Sequence, residues 1–257
     1  MCKHLTIAIS LPVEALGCNI MLDGAAVSSC ISECGFGFLF AQMFHPSMKN
    51  VAPVRKEIGV KTIFNLLGPL TNPANPSLQV TGVGSKSLGP LFAELFKAKG
   101  TSRGMIVHST DGLDEISPAA PTTAWILENG KIEEKMIDPS TFGLPKHSLD
   151  LVQGGTAAER AALFREILSG GKKRKGEGAS HEATKDYIIA NAASGLWVSG
   201  KAKDFKEAAV MARYSLFFLD GAPQRRPDAC ACVMCRKCRR KLLVSLFACL
   251  LVCLPGC

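Results

Sequence analysis

Three features of the 257-residue sequence predict an α/β fold with a mostly parallel sheet flanked by helices. LQVTGVG (78–84), SLGPLFAELFKAKG (87–100) and GMIVHS (104–109) read strand, helix, strand, a βαβ unit whose two strands run parallel. TTAWILENGKIEEKMI (122–137) carries Asn129-Gly130 between two alternating runs, the strongest short-range hairpin signal. Helical periodicity at 157–168, 183–198 and 203–218 then supplies cover for the sheet.

Upstream of this unit the elements follow in order. MCKHLTIAISLP (1–12) reads as a leader outside the main body, with an apolar run too short for a signal peptide and no cleavage site. Over residues 24–34, Ala25, Val27, Cys30, Ile31 and Cys34 fall on one helical face, and Gly35 ends the segment. GFLFAQMF (37–44) is a continuous apolar run suited to a buried strand or to the base of a site. Pro46 opens a polar helical stretch, and a second one at Lys61–Leu67 is expected to stop at Gly68-Pro69. SGGKKRKGEGAS (169–180) reads as a charged, Gly-rich loop between two helices.

The net charge of +8 and the eleven cysteines suggest nucleic acid, zinc or secretion until their positions are read. Residues 223–257 hold seven Lys/Arg against the single acid Asp228, which accounts for +6 of the total. They also hold seven of the eleven cysteines. The body is then nearly neutral, and Cys2, Cys18, Cys30 and Cys34 read as small buried hydrophobes of a reducing, cytoplasmic compartment. Nucleic acid loses its support as a partner. No run of the body reaches the ~20 apolar residues of a membrane span, so no membrane partner is expected either.

Four local features carry chemistry. In FHPSMKNVAPVRKEIG (44–59), His45, Met48, Lys49 and Arg55 surround two prolines, and an Arg there can hold a carboxylate by two parallel N–H donors. Spacing alone favours the other reading, a surface helix with ordinary basic residues. NLLGPLTNPANP (65–76) is a turn-rich loop by composition, whose Gly68-Pro69 pair can form a rigid wall for a planar ligand. STDGLDEIS (109–117) puts Asp111, Asp114 and Glu115 at the carboxyl end of a strand, where open α/β sheets place their ligands. Adjacent carboxylates in that position suit Mg²⁺ shared with phosphate oxygens, or else a polar turn. QGGTAAERAALFREIL (153–168) opens a helix with a Gly pair, a setting that binds anions in some proteins and nothing in many. His108 and His147 read as ordinary side chains without a partner cluster.

FHPSMKNVAPVRKEIGVKTIFNLLGPLTNP (44–73) resembles the most characteristic block of the anthranilate phosphoribosyltransferases, within the glycosyltransferase-3 / nucleoside phosphorylase group. DGLDEIS (111–117) resembles that family's metal-side motif, and IIANAASGLWVSGKAKDFKEA (188–208) its closing helices. The resemblance runs in order over residues 13–222, with 45–72 as a remnant of the family's helical small domain. It implies an enzyme of tryptophan biosynthesis that moves phosphoribosyl from phosphoribosyl pyrophosphate to the amine of anthranilate, with Mg²⁺, releasing pyrophosphate. It further implies that Arg55 holds the anthranilate carboxylate, that His45, Gly68 and Pro69 line the acceptor's channel, and that Asp114 and Glu115 bind Mg²⁺. Family members pair as homodimers through the helical domain, an interface largely missing here. The alternatives are a pyrimidine nucleoside phosphorylase of the same fold and a non-catalytic fragment.

The sequence also departs from the family. The resemblance starts after the family's helical bundle and its Gly-Thr-Gly-Gly-Asp loop, which cradles pyrophosphate. Its Lys-His-Gly stretch has no counterpart beyond Lys3-His4, and its Glu-Asn-Ala reads Glu159-Arg160-Ala161. A narrower expectation follows that this chain does not turn over, since single donors of such a loop are worth ~3 kcal/mol in the transition state. After Ala222 the pattern stops. The spacing Cys230-x-Cys232-x₂-Cys235-x₂-Cys238 contains zinc-type Cys-x₂-Cys spacing but leaves no second knuckle, and LLVSLFACLLVCL (242–254) is apolar but shorter than a spanning helix. The expectation for 223–257 is an unstructured segment with no part in the chemistry, such as intron read-through would produce.

Overall fold

The computed structural model of the chain describes residues 10–34, 36–46, 57, 64–152, 155–168 and 178–217. One four-stranded sheet organises them, in the order β1 (Leu78–Gly82), β2 (Arg103–Ser109), β3 (Thr122–Glu128), β4 (Lys131–Ile137). The helices are α1 (Ser10–Ala15), α2 (Gly24–Cys34), α3 (Ala41–Phe44), α4 (Phe64–Leu70), α5 (Leu88–Ala98), α6 (Ala157–Leu168), α7 (Gly178–Val198) and α8 (Phe205–Phe217).

β1 and β2 pair in parallel, from Leu78 opposite Arg103 to Gly82 opposite Val107, with α5 crossing between them. This is the expected βαβ unit. The two later pairings are antiparallel. Segment 110–121 is spent on hydrogen-bonded turns rather than on a crossover helix, so β3 runs back beside β2. The sheet is therefore mixed, its parallel pairing confined among the described residues to β1 and β2. Asn129 (φ 52°) and Gly130 (φ 74°) both sit at positive φ, the backbone that a tight β3–β4 hairpin requires.

Alternation along the strands divides the core into two layers. Val80, Met105, Val107, Ala124 and Ile126 face a cluster that includes Ile188, Ile189, Ala192 and Ala193 of α7 with Ala208 and Ala212 of α8. Ile106, Trp125 and Leu127 face the other way, against Phe92, Ala93 and Phe96 of α5. Each large side chain buried in this way contributes about 1.5–3 kcal/mol. The sheet thus has helices on both faces, with its carboxyl-end loops left between them.

Three local differences from the sequence reading have physical reasons. Helix α7 starts at Gly178 rather than at 183, because His181 and Ala183 are already buried and Ser180 Oγ donates to the Leu151 carbonyl at 2.6 Å. Residues 36–40 form no regular secondary structure, and the chain then turns into the four-residue α3. Their apolar side chains join Leu22, Val27 and Cys30 in a separate small cluster. Helix α4 continues through Gly68 and Pro69 instead of stopping there. Gly68 has no Cβ to strike the proline ring, and two residues past Pro69 the Thr71 N–H still reaches the Leu67 carbonyl at 2.8 Å.

Cys30 is buried as expected, while Cys18 is only half-buried. No helix among the described residues is long and apolar enough to cross a membrane. The leader's first nine residues, most of segment 45–72, the basic loop and the tail from 218 lie outside the described residues.

Candidate functional site

His45 and Gly68 come from segments joined by a long stretch of chain, yet they line one small open hollow, with Leu39, Ala41, Phe44, Asn72 and Pro73 around them. His45 is held at the end of α3, where its N–H donates to the Ala41 carbonyl at 2.8 Å. A Cβ built on Gly68 meets nothing within 4 Å, so the absent side chain leaves that wall open. Three residues of the run 37–44, Leu39, Ala41 and Phe44, line this hollow, and the run forms no strand. Pro69 is buried and does not line the hollow with the other described residues. Its carbonyl instead accepts from Gln79 Nε2 of β1 at 3.3 Å, which ties α4 to the sheet. Arg55, the expected carboxylate clamp, lies outside the described residues.

Asp114 and Glu115, both half-buried, sit in the loop after β2, beside the carboxyl end of β1. The approach is close: a Cβ on Gly82, the last residue of β1, would lie 1.6 Å from the Asp114 carbonyl oxygen. Gln79 and Gly82 are three residues apart, about 10 Å along a strand, so β1 carries both the α4 attachment and the acidic loop. The loop is closed by its own hydrogen bonds. Ser109 N–H donates to the Leu113 carbonyl at 2.8 Å, and Ser117 Oγ donates to Asp111 Oδ2 at 2.5 Å while accepting from Ala119 and Ala120 N–H. Asp111 is thereby used in the turn, apart from the other two carboxylates. Among the described residues no third His, Cys, Asp or Glu joins Asp114 and Glu115 in a metal-sized cluster. Two adjacent hard oxygen donors on a pinned loop match the way Mg²⁺ is held by one or two carboxylates and substrate phosphates.

Helix α7 supplies partners that the sequence reading missed. Asn191, 3% exposed, accepts from Ile116 N–H through Oδ1 and donates to the Ile116 carbonyl through Nδ2, both at 3.1 Å. One turn earlier, the Tyr187 hydroxyl donates to Glu115 Oε2. The polar pair Tyr187 and Asn191, spaced i, i+4 in an otherwise apolar segment, was the available signal. His147 also has a partner after all. Its Nε2 lies 2.8 Å from Oδ2 of the buried Asp186, whose Oδ1 accepts from Arg213 at 3.2 Å, and its N–H donates to the Pro118 carbonyl at 2.9 Å. No Ser or Cys belongs to this group, so it braces the acidic loop against α7 and α8. His108 Nδ1 meets the Val83 carbonyl at 2.8 Å, a structural contact.

The start of α6 is occupied by its own side chain. Glu159 Oε2 accepts from Thr156 N–H at 2.6 Å and from Thr156 Oγ1 at 2.9 Å, and these bonds hold its carboxyl below the ordinary carboxylate range. This capping box fills the position that an external anion would take.

Comparison with known proteins bears on the family and the fold. Residues 12–217 match the profile of the glycosyl transferase family, a/b domain. The anthranilate phosphoribosyltransferase of Xanthobacter autotrophicus is 44% identical over 204 residues, covering 79% of this chain, and that of Rubrobacter xylanophilus is 43% identical over the same share. The chain spans 57% of the length of each of these curated relatives. Among solved structures, the Thermus thermophilus anthranilate phosphoribosyltransferase superposes with a TM-score of 0.72 at 33% identity, covering 94% of this chain and 64% of that one. The Saccharomyces cerevisiae enzyme in complex with PRPP and Mg gives 0.72 at 31% identity, covering 82% and 58%. By the match along most of its length, this chain belongs to the glycosyl transferase family through its α/β domain.

Proposed function

We propose that the chain takes part in anthranilate phosphoribosyl transfer: phosphoribosyl passes from phosphoribosyl pyrophosphate to the amine of anthranilate, and pyrophosphate leaves. The observation that carries this reading is the hollow shared by His45 and Gly68, in a chain 44% identical to a curated anthranilate phosphoribosyltransferase. The reaction belongs to tryptophan biosynthesis in the cytoplasm, with neither nucleic acid nor membrane as partner. The working region is 13–222, with 45–72 as a remnant of a helical small domain, and 223–257 standing outside the chemistry.

The amine of anthranilate is already nucleophilic, so holding it against the anomeric carbon supplies much of the rate without a nucleophilic side chain. The apolar lining of the hollow, Leu39 and Phe44, suits an aromatic acceptor, with His45 and Gly68 also lining it and Pro69 next to Gly68 in the chain. Arg55 would take the acceptor's carboxylate through two parallel N–H donors, a geometry Lys does not reproduce. Asp114 and Glu115 would hold Mg²⁺. Bound there, the cation supplies stabilisation of the charge that develops on the leaving pyrophosphate.

Calorimetry with anthranilate tests the acceptor half of this reading, and formation of phosphoribosylanthranilate tests the whole. Arg55→Ala is expected to weaken anthranilate binding by roughly 10- to 100-fold, the worth of a charge-assisted bidentate contact. A purified, folded chain that neither binds anthranilate nor forms product would refute the reading. Phosphorolysis of thymidine by that chain would shift it to the nucleoside phosphorylase alternative.

A further inference from the structure

We propose that Asn72 is a specificity-determining residue of the hollow: its side-chain Nδ2 donates to the carboxylate of the aromatic acceptor. The proposal rests on the reading of that hollow as the anthranilate site. Of the seven described residues that line it, His45 and Asn72 carry the polar side chains. Asn72, half-buried, opens the turn that follows α4. Its carbonyl accepts from Asn75 N–H at 3.0 Å, and its Oδ1 accepts from Ala74 N–H at 2.9 Å. Pro73, at the second position, sets the backbone of that turn. The bond to Ala74 also settles which end of the amide is the oxygen. Both oxygens of Asn72 therefore serve the turn, and what it offers a ligand is Nδ2, a pair of N–H donors. Among the described residues no acceptor is bonded to Nδ2.

The turn is held against the rest of the chain. The two residues that end α4 both accept from outside it, Pro69 from Gln79 Nε2 at 3.3 Å and Leu70 from Lys99 Nζ. Asn72 follows Leu70 by two residues, so its amide is placed by the turn on one side and by β1 and α5 on the other. A donor pair selects ligand chemistry. A carboxylate offers about four lone-pair positions, enough for two donors of Arg55 and for Asn72 as well. A carboxamide in its place has one oxygen, and its N–H groups face the donors of Asn72 or Arg55 without an acceptor between them.

Anthranilate and 2-aminobenzamide are the probes, each titrated by its own fluorescence into the full chain and its Asn72→Ser and Asn72→Asp variants. Both substitutions keep a side-chain oxygen for the Ala74 N–H, so the thermal midpoint should hold. Asn72→Ser loses the donor pair and is expected to bind anthranilate about tenfold more weakly, with a smaller loss for 2-aminobenzamide. Asn72→Asp sets a negative charge where the donors were, and should weaken anthranilate further and turn the preference toward 2-aminobenzamide. If the parent binds anthranilate and Asn72→Ser binds it as tightly, the proposal falls and the acceptor site stands. The same holds if Asn72→Ser weakens both ligands equally, since the turn rather than the donor would then be at work. If the parent does not bind anthranilate, the acceptor-site reading and the proposal fall together. Should Asn72→Ser not fold, Asn72→Asp decides, and an undiminished preference for anthranilate overturns the proposal.

Discussion

The side-chain amide of Asn191 grips Ile116 from both sides, accepting from its N–H and donating to its carbonyl at the same 3.1 Å distance. This joins helix α7 to the loop that presents Asp114 and Glu115. Removing the amide leaves two buried peptide groups without partners, each worth about 1–3 kcal/mol. Asn191→Ala should therefore lower unfolding free energy by about 2–4 kcal/mol in urea denaturation. Asn191→Asp should be no better, because an ionised carboxylate accepts from the Ile116 N–H but has no proton for the Ile116 and Tyr187 carbonyls. Parent-like stability in both variants would show that the loop does not depend on this contact.

A second contact fixes the same loop from the sheet side. A Cβ at Gly82 would lie 1.6 Å from the Asp114 carbonyl oxygen and 2.6 Å from its carbon, and both are backbone atoms that cannot swing aside. Gly82→Ala should push the acidic loop off β1 at a cost of about 3 kcal/mol or more. The same variant should weaken Mn²⁺ binding, since Asp114 carries the displaced carbonyl. A stable Gly82→Ala chain with parent Mn²⁺ affinity would place the loop elsewhere.

Local signals and distant ones separate cleanly here. The βαβ unit and the hairpin could be read because each strand and helix carries its own period and Asn129-Gly130 selects its own backbone. The direction of β3 could not, because it depends on how Ser117 closes the 110–121 turns. His45 and Gly68 were singled out through resemblance to a family, while spacing alone favoured a surface helix and a plain turn. Tyr187 and Asn191 find their partners 72 and 75 residues away, and His147 finds Asp186 across 39, so no local period marks these contacts. Their positions follow from the packing of α7 on the sheet, which only the assembled core determines.

Asp138 supplies the pH dependence. It caps the 3₁₀ turn Pro139–Phe142 and accepts from Ser140 Oγ at 2.6 Å, from Thr141 N–H at 3.2 Å and from Lys146 Nζ at 3.2 Å. The Ser140 bond is the largest influence, and together with Lys146 and Thr141 it outweighs burial, lowering the carboxyl from 3.8 to about 2. A carboxyl depressed in the folded chain stabilises it above the unfolded value, and that contribution is lost as pH falls from 3.8 through about 2. With 26% of the side chain exposed, solvent screening leaves it on the order of 1 to 2 kcal/mol. Asp138→Asn keeps the cap's shape but not its charge, so it should be less stable than the parent near neutral pH. Denaturation curves of the two chains should converge as pH drops from 4 toward 2, with Phe142 still packed 5.1 Å from Phe205 in both. A difference that persists undiminished at pH 2 would assign the loss to the cap's geometry instead of its charge.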